Sequence, residues 1–201
     1  MFQEQGNIHK TETNRRSRKM TTADYLEGSD VVFLINQLKK DKDYSLMMVA
    51  ALGSYLGLRY SDMVKLKWVD VLGGDTLVIE EKKTKKVKRI SINAELKLLC
   101  ESAYPGKISD YIITNKSGQP LSIQYINRRL KKSRLKYRIK ISNFSIHSFR
   151  KSFGRRVYEN NFRSEHSLIL LSDIFAHSSV AITRRYLGLR NEEIADVYLN
   201  L

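Results

Sequence analysis

The sequence predicts a mainly α-helical chain carrying one small antiparallel β-sheet, an α+β fold. Three observations carry that expectation. Apolar residues recur at helical spacing through most of the 201 residues. Residues 76–92 instead hold two short runs rich in β-branched side chains around a basic turn. The two prolines, Pro105 and Pro120, both fall between expected elements, and no internal repeat or Pro-rich linker divides the chain.

Residues 1–19 are polar and basic, ending in Arg15, Arg16, Arg18 and Lys19, with no apolar periodicity. They read as a flexible arm, either a solvated tail or a segment that touches DNA phosphates. Folded structure is expected from Thr21, with a first helix over residues 31–38. A more apolar helix follows over residues 43–56, with Leu46, Met47, Ala50 and Ala51 as core candidates and Gly57 placed to end it. Ser61 is expected to cap a short helix whose Met63, Leu66 and Val69 face inward. Arg59 then sits in a tight helix–helix junction.

Thr76–Glu80 and residues 87–92 read as the two strands, residues 94–102 as a helix, and residues 111–114 as a third short strand closed by a turn at Ser117-Gly118. Residues 122–135 read as a helix that runs into a basic segment. Eight of the thirteen residues from 128 to 140 are Arg or Lys and none is acidic, which marks it as a phosphate-facing surface. Asn143 or Ser145 caps the next helix, with Ile146, Phe149, Phe153 and Val157 on its apolar face. An apolar helix over 167–175 and a short one from Val180, ended by Gly188, follow. Ile194, Val197, Tyr198 and Leu201 make an apolar stripe on a final helix.

Composition narrows the function. A hydrophobic content of 42% is enough for one well-buried domain. The formal net charge of +15 says little about fold but points to nucleic acid as partner. The lone Cys100 lies in an apolar helical run, so it reads as a buried thiol, and a reducing, cytoplasmic setting fits. No stretch approaches the length of a membrane span, and MFQEQGNIHK has no apolar signal core. HExxH is absent and one Cys with scattered histidines makes no zinc cage, so no metal is expected. No glycine-rich phosphate loop appears, so nucleotide hydrolysis is not indicated.

Arg59, His147, Arg150, His177 and Tyr186 carry the chemistry. They lie in LGLRYSDMVKLKW, IHSFRKSF and FAHSSVAITRRYLG. His147 and Arg150, three apart, project from one helix face. Two arginines, two histidines and a phenol suit attack on a phosphodiester. Guanidinium groups hold the non-bridging oxygens and stay charged, histidines move or share protons, and the phenol is the nucleophile.

The ordered set resembles the catalytic domain of the tyrosine recombinases, the phage integrase family, over roughly residues 20–190. LGLR with Asp62 and LKW resembles that family's first box, HSFR its His-x-x-Arg, and AHSS with Tyr186 nine residues beyond the His its last box. Ala176 stands where the family often has Gly. The resemblance implies the tyrosine recombinase catalytic-domain fold and a site-specific recombinase that cleaves and rejoins DNA through a 3′-phosphotyrosyl link without cofactor. Arg59 and Arg150 are then the phosphate clamp, His147 the proton acceptor, His177 a phosphate hydrogen-bond donor and Tyr186 the nucleophile. A hairpin lysine protonates the leaving 5′-oxygen. Lys83, before Thr84, best matches the family's Lys-Thr pair, with Lys85 next. Asp62 resembles the acid that orients an active-site arginine or histidine, or serves only a helix dipole. Tyr158 and Tyr198 read as structural.

Lys82, Lys85, Lys86, Arg128, Arg129, Lys131 and Lys132 are expected on double-stranded DNA. The expected organisation is an arm over 1–19, the catalytic domain over 20–189 and a docking helix over 190–201. That helix packs on a partner protomer or on its own core. The resemblance implies a homotetramer on paired DNA sites. A type IB topoisomerase, and an inactive DNA-binding factor on the same fold, are the alternatives.

Overall fold

The computed structural model describes residues 23–83 and 85–200. The expected basic arm, Thr21, Thr84 and Leu201 lie outside the described residues. Ten helices and a two-stranded sheet follow one another here: α1 (Gly28–Lys40), α2 (Tyr44–Leu56), α3 (Tyr60–Met63), α4 (Trp68–Leu72), β1 (Thr76–Glu80), β2 (Val87–Ser91), α5 (Ala94–Ala103), α6 (Ile123–Lys136), α7 (Ile146–Asn160), α8 (Glu165–Phe175), α9 (Val180–Leu187) and α10 (Leu189–Leu199).

Helix α2 is apolar all round, and every residue from Leu46 to Leu56 is buried. Such a helix belongs at the centre of a domain, and α1, α5 and α7 pack around it. Asp43 caps its start by accepting the Leu46 amide at 3.2 Å. Gly57 ends it in the left-handed conformation at φ 60°. Helix α7 crosses α2 at Gly53, where an added Cβ would stand 2.7 Å from Phe149 Cβ. That approach buries Phe149 completely and fixes the phase of α7.

A second apolar cluster lies on the other side of α7. Leu168, Leu171, Phe175, Leu187 and Leu189 form it, with Phe153, Val157, Tyr158 and Tyr186 packed against it. Helix α7 therefore has the main core on one face and this smaller cluster on another. Arg150 and its neighbours occupy the seam.

The hairpin is antiparallel, with Leu77 opposite Ile90 and Ile79 opposite Lys88. Burial alternates along β1, so Leu77 and Ile79 face the core.

Three expectations fail locally. Residues 111–114 form no strand. They make two isolated bridges, Lys67 with Tyr111 and Thr114 with Pro120, because their backbone splits its bonds between Leu66 and the 119–121 segment. Ser61 is inside α3, which begins at Tyr60 after an extended Arg59, so Ser61 caps nothing. Val69 is exposed, because α4 begins at Trp68 and turns Trp68 and Val71 inward instead. Of the two dockings expected for the final helix, the described residues do not show the one on the chain's own core: Ile194, Val197 and Tyr198 of α10 are exposed. Ser145 closes the start of α7 with a capping box to Ser148.

Candidate active site

The two arginines arrive from opposite sides of the seam. Arg59 follows the left-handed Gly57 turn and stands, extended, just before α3. Its Nη1 donates to Glu81 Oε1 at 2.8 Å and its Nη2 to the Phe175 carbonyl at 2.5 Å. Arg150 is 5% exposed on α7. Its Nη1 donates to the Gly57 carbonyl and its Nη2 to the same Phe175 carbonyl at 3.1 Å. The Arg150 guanidinium also lies over the Phe175 ring, 4.3 Å from its centre. Burial, then the charge of Arg59, pushes its pKa down to about 10, so it stays cationic at neutral pH.

The shared acceptor exists because of how α8 ends. Ala176 is left-handed at φ 50°. The Ala176 amide bonds back to Asp173 and the His177 amide to Ser172 at 2.9 Å, a Schellman-type stop. The last carbonyl of α8, at the negative end of its dipole, is left facing the two guanidinium groups.

The same stop projects His177. Its Nδ1 is 2.9 Å from Thr183 Oγ1, and Thr183 is fully buried on α9. Burial, followed by Arg150, Arg59 and Lys83, pushes the His177 pKa down to about 4. Tyr186 lies one turn beyond Thr183, its ring edge-on to His177 at 5.3 Å and to Phe175 at 5.4 Å. Its hydroxyl is buried beside the Arg150 guanidinium, without a well-formed hydrogen bond among the described residues. Burial raises its pKa, while Arg150 and Arg59 pull the other way by favouring the phenolate. Lys151 is buried with its Nζ 5.4 Å from the centre of the Tyr186 ring.

The remaining expected residues are less closely joined. His147 is one turn before Arg150 but exposed. Desolvation, then Arg150 and Lys151, lowers its pKa. Lys83 is exposed at the hairpin tip, near enough to His177 for its charge to act there. Lys85 points elsewhere, toward Glu80 at 3.9 Å. Asp62 is buried, and its Oδ1 accepts the Lys82 amide at 2.9 Å. That bond braces the hairpin backbone, and the Asp62 carboxylate is also close enough for its charge to favour the cationic form of Arg150.

The basic positions split between surfaces. Lys82, Lys85 and Lys86 are exposed around the hairpin turn. On α6, Arg128, Arg129 and Lys132 line an open cleft of about 1050 Å³ with Tyr125, whereas Lys131 lines another with Arg134. Arg129 is partly engaged within the protein by its ion pair with Asp43.

Several residues of the site carry no distinctive motif. Glu81 and Lys88 meet beneath Arg59. The period-two alternation of Leu77 and Ile79, continued one step, places Glu81 on the inward face, and hairpin register places Lys88 opposite Ile79. Thr183, Lys151 and the Phe175 carbonyl leave no comparable mark. Among the described residues no group of three or more His, Cys, Asp or Glu side chains is arranged to hold a metal ion. No single helix among them is long and apolar enough to cross a membrane. Cys100 is fully buried, and burial pushes its thiol pKa up to about 12.

The chain is similar to known proteins in both sequence and fold. The sequence model of the phage integrase family matches residues 24–193. The probable integrase/recombinase YoeC of Bacillus subtilis (strain 168) is 29% identical over 168 residues, covering 83% of this chain and 87% of that protein. The fold is similar to that of the XerA recombinase, with a TM-score of 0.67 at 19% identity over 90% of this chain and 65% of that one. It is also similar to a lambda integrase dimer bound to a COC′ core site, with a TM-score of 0.63 at 19% identity over 87% of this chain and 50% of that one. The chain thus spans between half and two thirds of the length of these two solved proteins.

Proposed function

Because the chain belongs to the phage integrase family, we propose that it is a tyrosine-type site-specific recombinase acting on double-stranded DNA. The observation that carries this reading is the convergence of Arg59 and Arg150 on one oxygen, with His177 and Tyr186 packed beside it. A backbone carbonyl is a weak anion mimic. Two guanidinium groups already aimed at one oxygen can close on a phosphate with little reorganisation, and preorganisation of this kind favours a transition state over a ground state.

In the proposed reaction the Tyr186 oxygen attacks phosphorus, forming the phosphotyrosyl bond as the bond from phosphorus to the 5′-oxygen breaks. His147 takes the phenolic proton and Lys83 protonates the leaving 5′-oxygen. The lowered His147 pKa keeps the imidazole neutral at pH 7, the form that accepts a proton. Thr183 donating to His177 Nδ1 would leave the proton on Nε2, the donor a phosphate oxygen requires. A free 5′-hydroxyl then reverses the step, so bond energy is conserved and no nucleotide is consumed. The buried Tyr186 hydroxyl must come into the open for attack, which makes DNA binding the event that completes the site. The exposed apolar residues of α10 support assembly of protomers into a homotetramer on paired sites, with the 190–201 segment docking in trans. The buried, unreactive Cys100 suits a reducing cytoplasmic setting.

The test is covalent capture on a library of nicked suicide duplexes, followed by sequencing of the trapped DNA. Adducts at a defined sequence are expected. Relaxation of plasmids with no sequence preference would mark a type IB topoisomerase. Binding without any adduct would mark a DNA-binding factor and defeat the proposal.

A further inference from the structure

Glu81 is 2% exposed. A carboxylate buried this deeply stays ionised only when cations and hydrogen bonds repay its lost hydration. Here one oxygen takes two cations: Oε1 accepts from Arg59 Nη1 at 2.8 Å and from Lys88 Nζ at 2.9 Å. Each cation then reaches on to the end of α8. Lys88 donates to the Ile174 carbonyl at 2.5 Å and Arg59 to the Phe175 carbonyl at 2.5 Å. The backbone of Glu81 also closes the hairpin turn, its amide bonding to Lys86 at 3.0 Å and its carbonyl accepting from Lys85 at 2.9 Å. One residue further on, Asp62 holds the Lys82 amide.

We infer that Glu81 is a positioning residue that holds Arg59 at its phosphate angle and couples the lysine-bearing hairpin to the arginine clamp. The inference rests on the reading of Arg59 as a phosphate ligand. A guanidinium held by a carboxylate at one nitrogen and a carbonyl at another has its plane set by two bonds. Remove the charge of Glu81 and Arg59 faces Lys88 and Arg150 with less to anchor it. The guanidinium then samples other rotamers, and the hairpin carrying Lys83 loses its tie to α8. Arg59 keeps its charge throughout, so attraction for DNA persists while alignment is lost.

Glu81→Gln, nearly isosteric, tests this on the full chain. On suicide duplexes recovered by covalent capture, single-turnover adduct formation should fall about 10- to 100-fold, the scale of a small misplacement in a reacting site. Duplex affinity should stay within about threefold of wild type, because uniform binding is untouched. Glu81→Asp, which keeps the charge on a shorter arm, should recover part of the rate. An unchanged rate overturns the inference. So does a joint fall in rate, affinity and melting temperature, the mark of a merely structural role.

A second measurement needs no DNA. In wild type, side-chain ¹⁵N NMR should show the Arg59 Nη groups as resolved, slowly rotating signals, and Glu81→Gln should average them. Signals unchanged by the substitution overturn the positioning role. If wild type forms no adduct at all, the recombinase proposal fails, and the NMR comparison alone decides the positioning of Arg59.

Discussion

Arg59 and Arg150 donate to the same oxygen, the Phe175 carbonyl, at 2.5 and 3.1 Å from residues 91 positions apart in the chain. Two like charges this close repel, and the contact persists because a helix-terminal carbonyl and the Glu81 carboxylate sit among them. An incoming phosphate competes for donors that are already aimed.

Arg150→Ala and Tyr186→Phe should therefore separate. Tyr186→Phe removes an oxygen that makes no well-formed hydrogen bond among the described residues. Duplex affinity and melting temperature should hold or rise slightly, while the covalent adduct disappears. Arg150→Ala also strands the Gly57 carbonyl, so it should abolish cleavage and destabilise the fold by roughly 3 kcal/mol. Arg150→Lys should restore neither, since an ammonium cannot span two carbonyls in a fixed plane. A gel shift beside a denaturing adduct gel, with thermal melts, reads all three. An adduct from Tyr186→Phe would move the nucleophile elsewhere.

Ala176 adopts φ 50° and ψ 51°, where a Cβ is unwelcome. Ala176→Gly should relieve that strain and raise stability by up to about 1 kcal/mol, partly offset by the greater freedom of glycine in the unfolded chain. Cleavage should be unaffected, because the Phe175 carbonyl keeps its place. A lower melting temperature for the glycine variant would contradict the backbone argument.

His177 titrates near 4 when folded, against about 6.5 when unfolded. The folded state favours the neutral ring. Above pH 6.5 both states are neutral and the group is silent. As pH falls from 6.5 toward 4 the unfolded chain binds the proton first, so stability drops across that window. His177→Gln should flatten this part of the melting-temperature profile. Identical slopes between pH 6.5 and 4.5 in the two proteins would show that His177 does not contribute.

DNA affinity should depend steeply on salt. With a net charge of +15 and about six phosphates neutralised, the log–log slope should lie near −5. Lys132→Ala should reduce its magnitude by close to one unit. Arg129→Ala should cost stability as well, because Arg129 pairs with Asp43. A slope near zero would remove the electrostatic account of binding.

Much of the architecture was legible in the residues. The periodicity of α2, the stops at Gly57 and Gly188 and the two strands all follow from local rules that act within a turn or a hairpin. Residues 111–114 misled because β-branched residues satisfy a strand pattern whether or not a neighbouring strand exists to pair with them. Val69 misled because one residue of phase error turns a helix face outward.

The site divides the same way. Side-chain types in order within the chain were enough to propose Arg59, His147, Arg150, His177 and Tyr186, since their chemistry belongs to the residues themselves, and the fold gathers all but His147 closely. The partners of those residues were decided by tertiary structure. Arg59 meets Glu81 across 22 positions and Phe175 across 116, and no local rule reaches that far. The acceptor shared by the two arginines is a backbone carbonyl, a group every residue has, so only the path of the chain at the end of α8 could select it. Asp62 was visible as an acid three residues after Arg59. Its turn toward the Lys82 amide depended on where the hairpin came to rest, which the packing of Leu77 and Ile79 into the core decides.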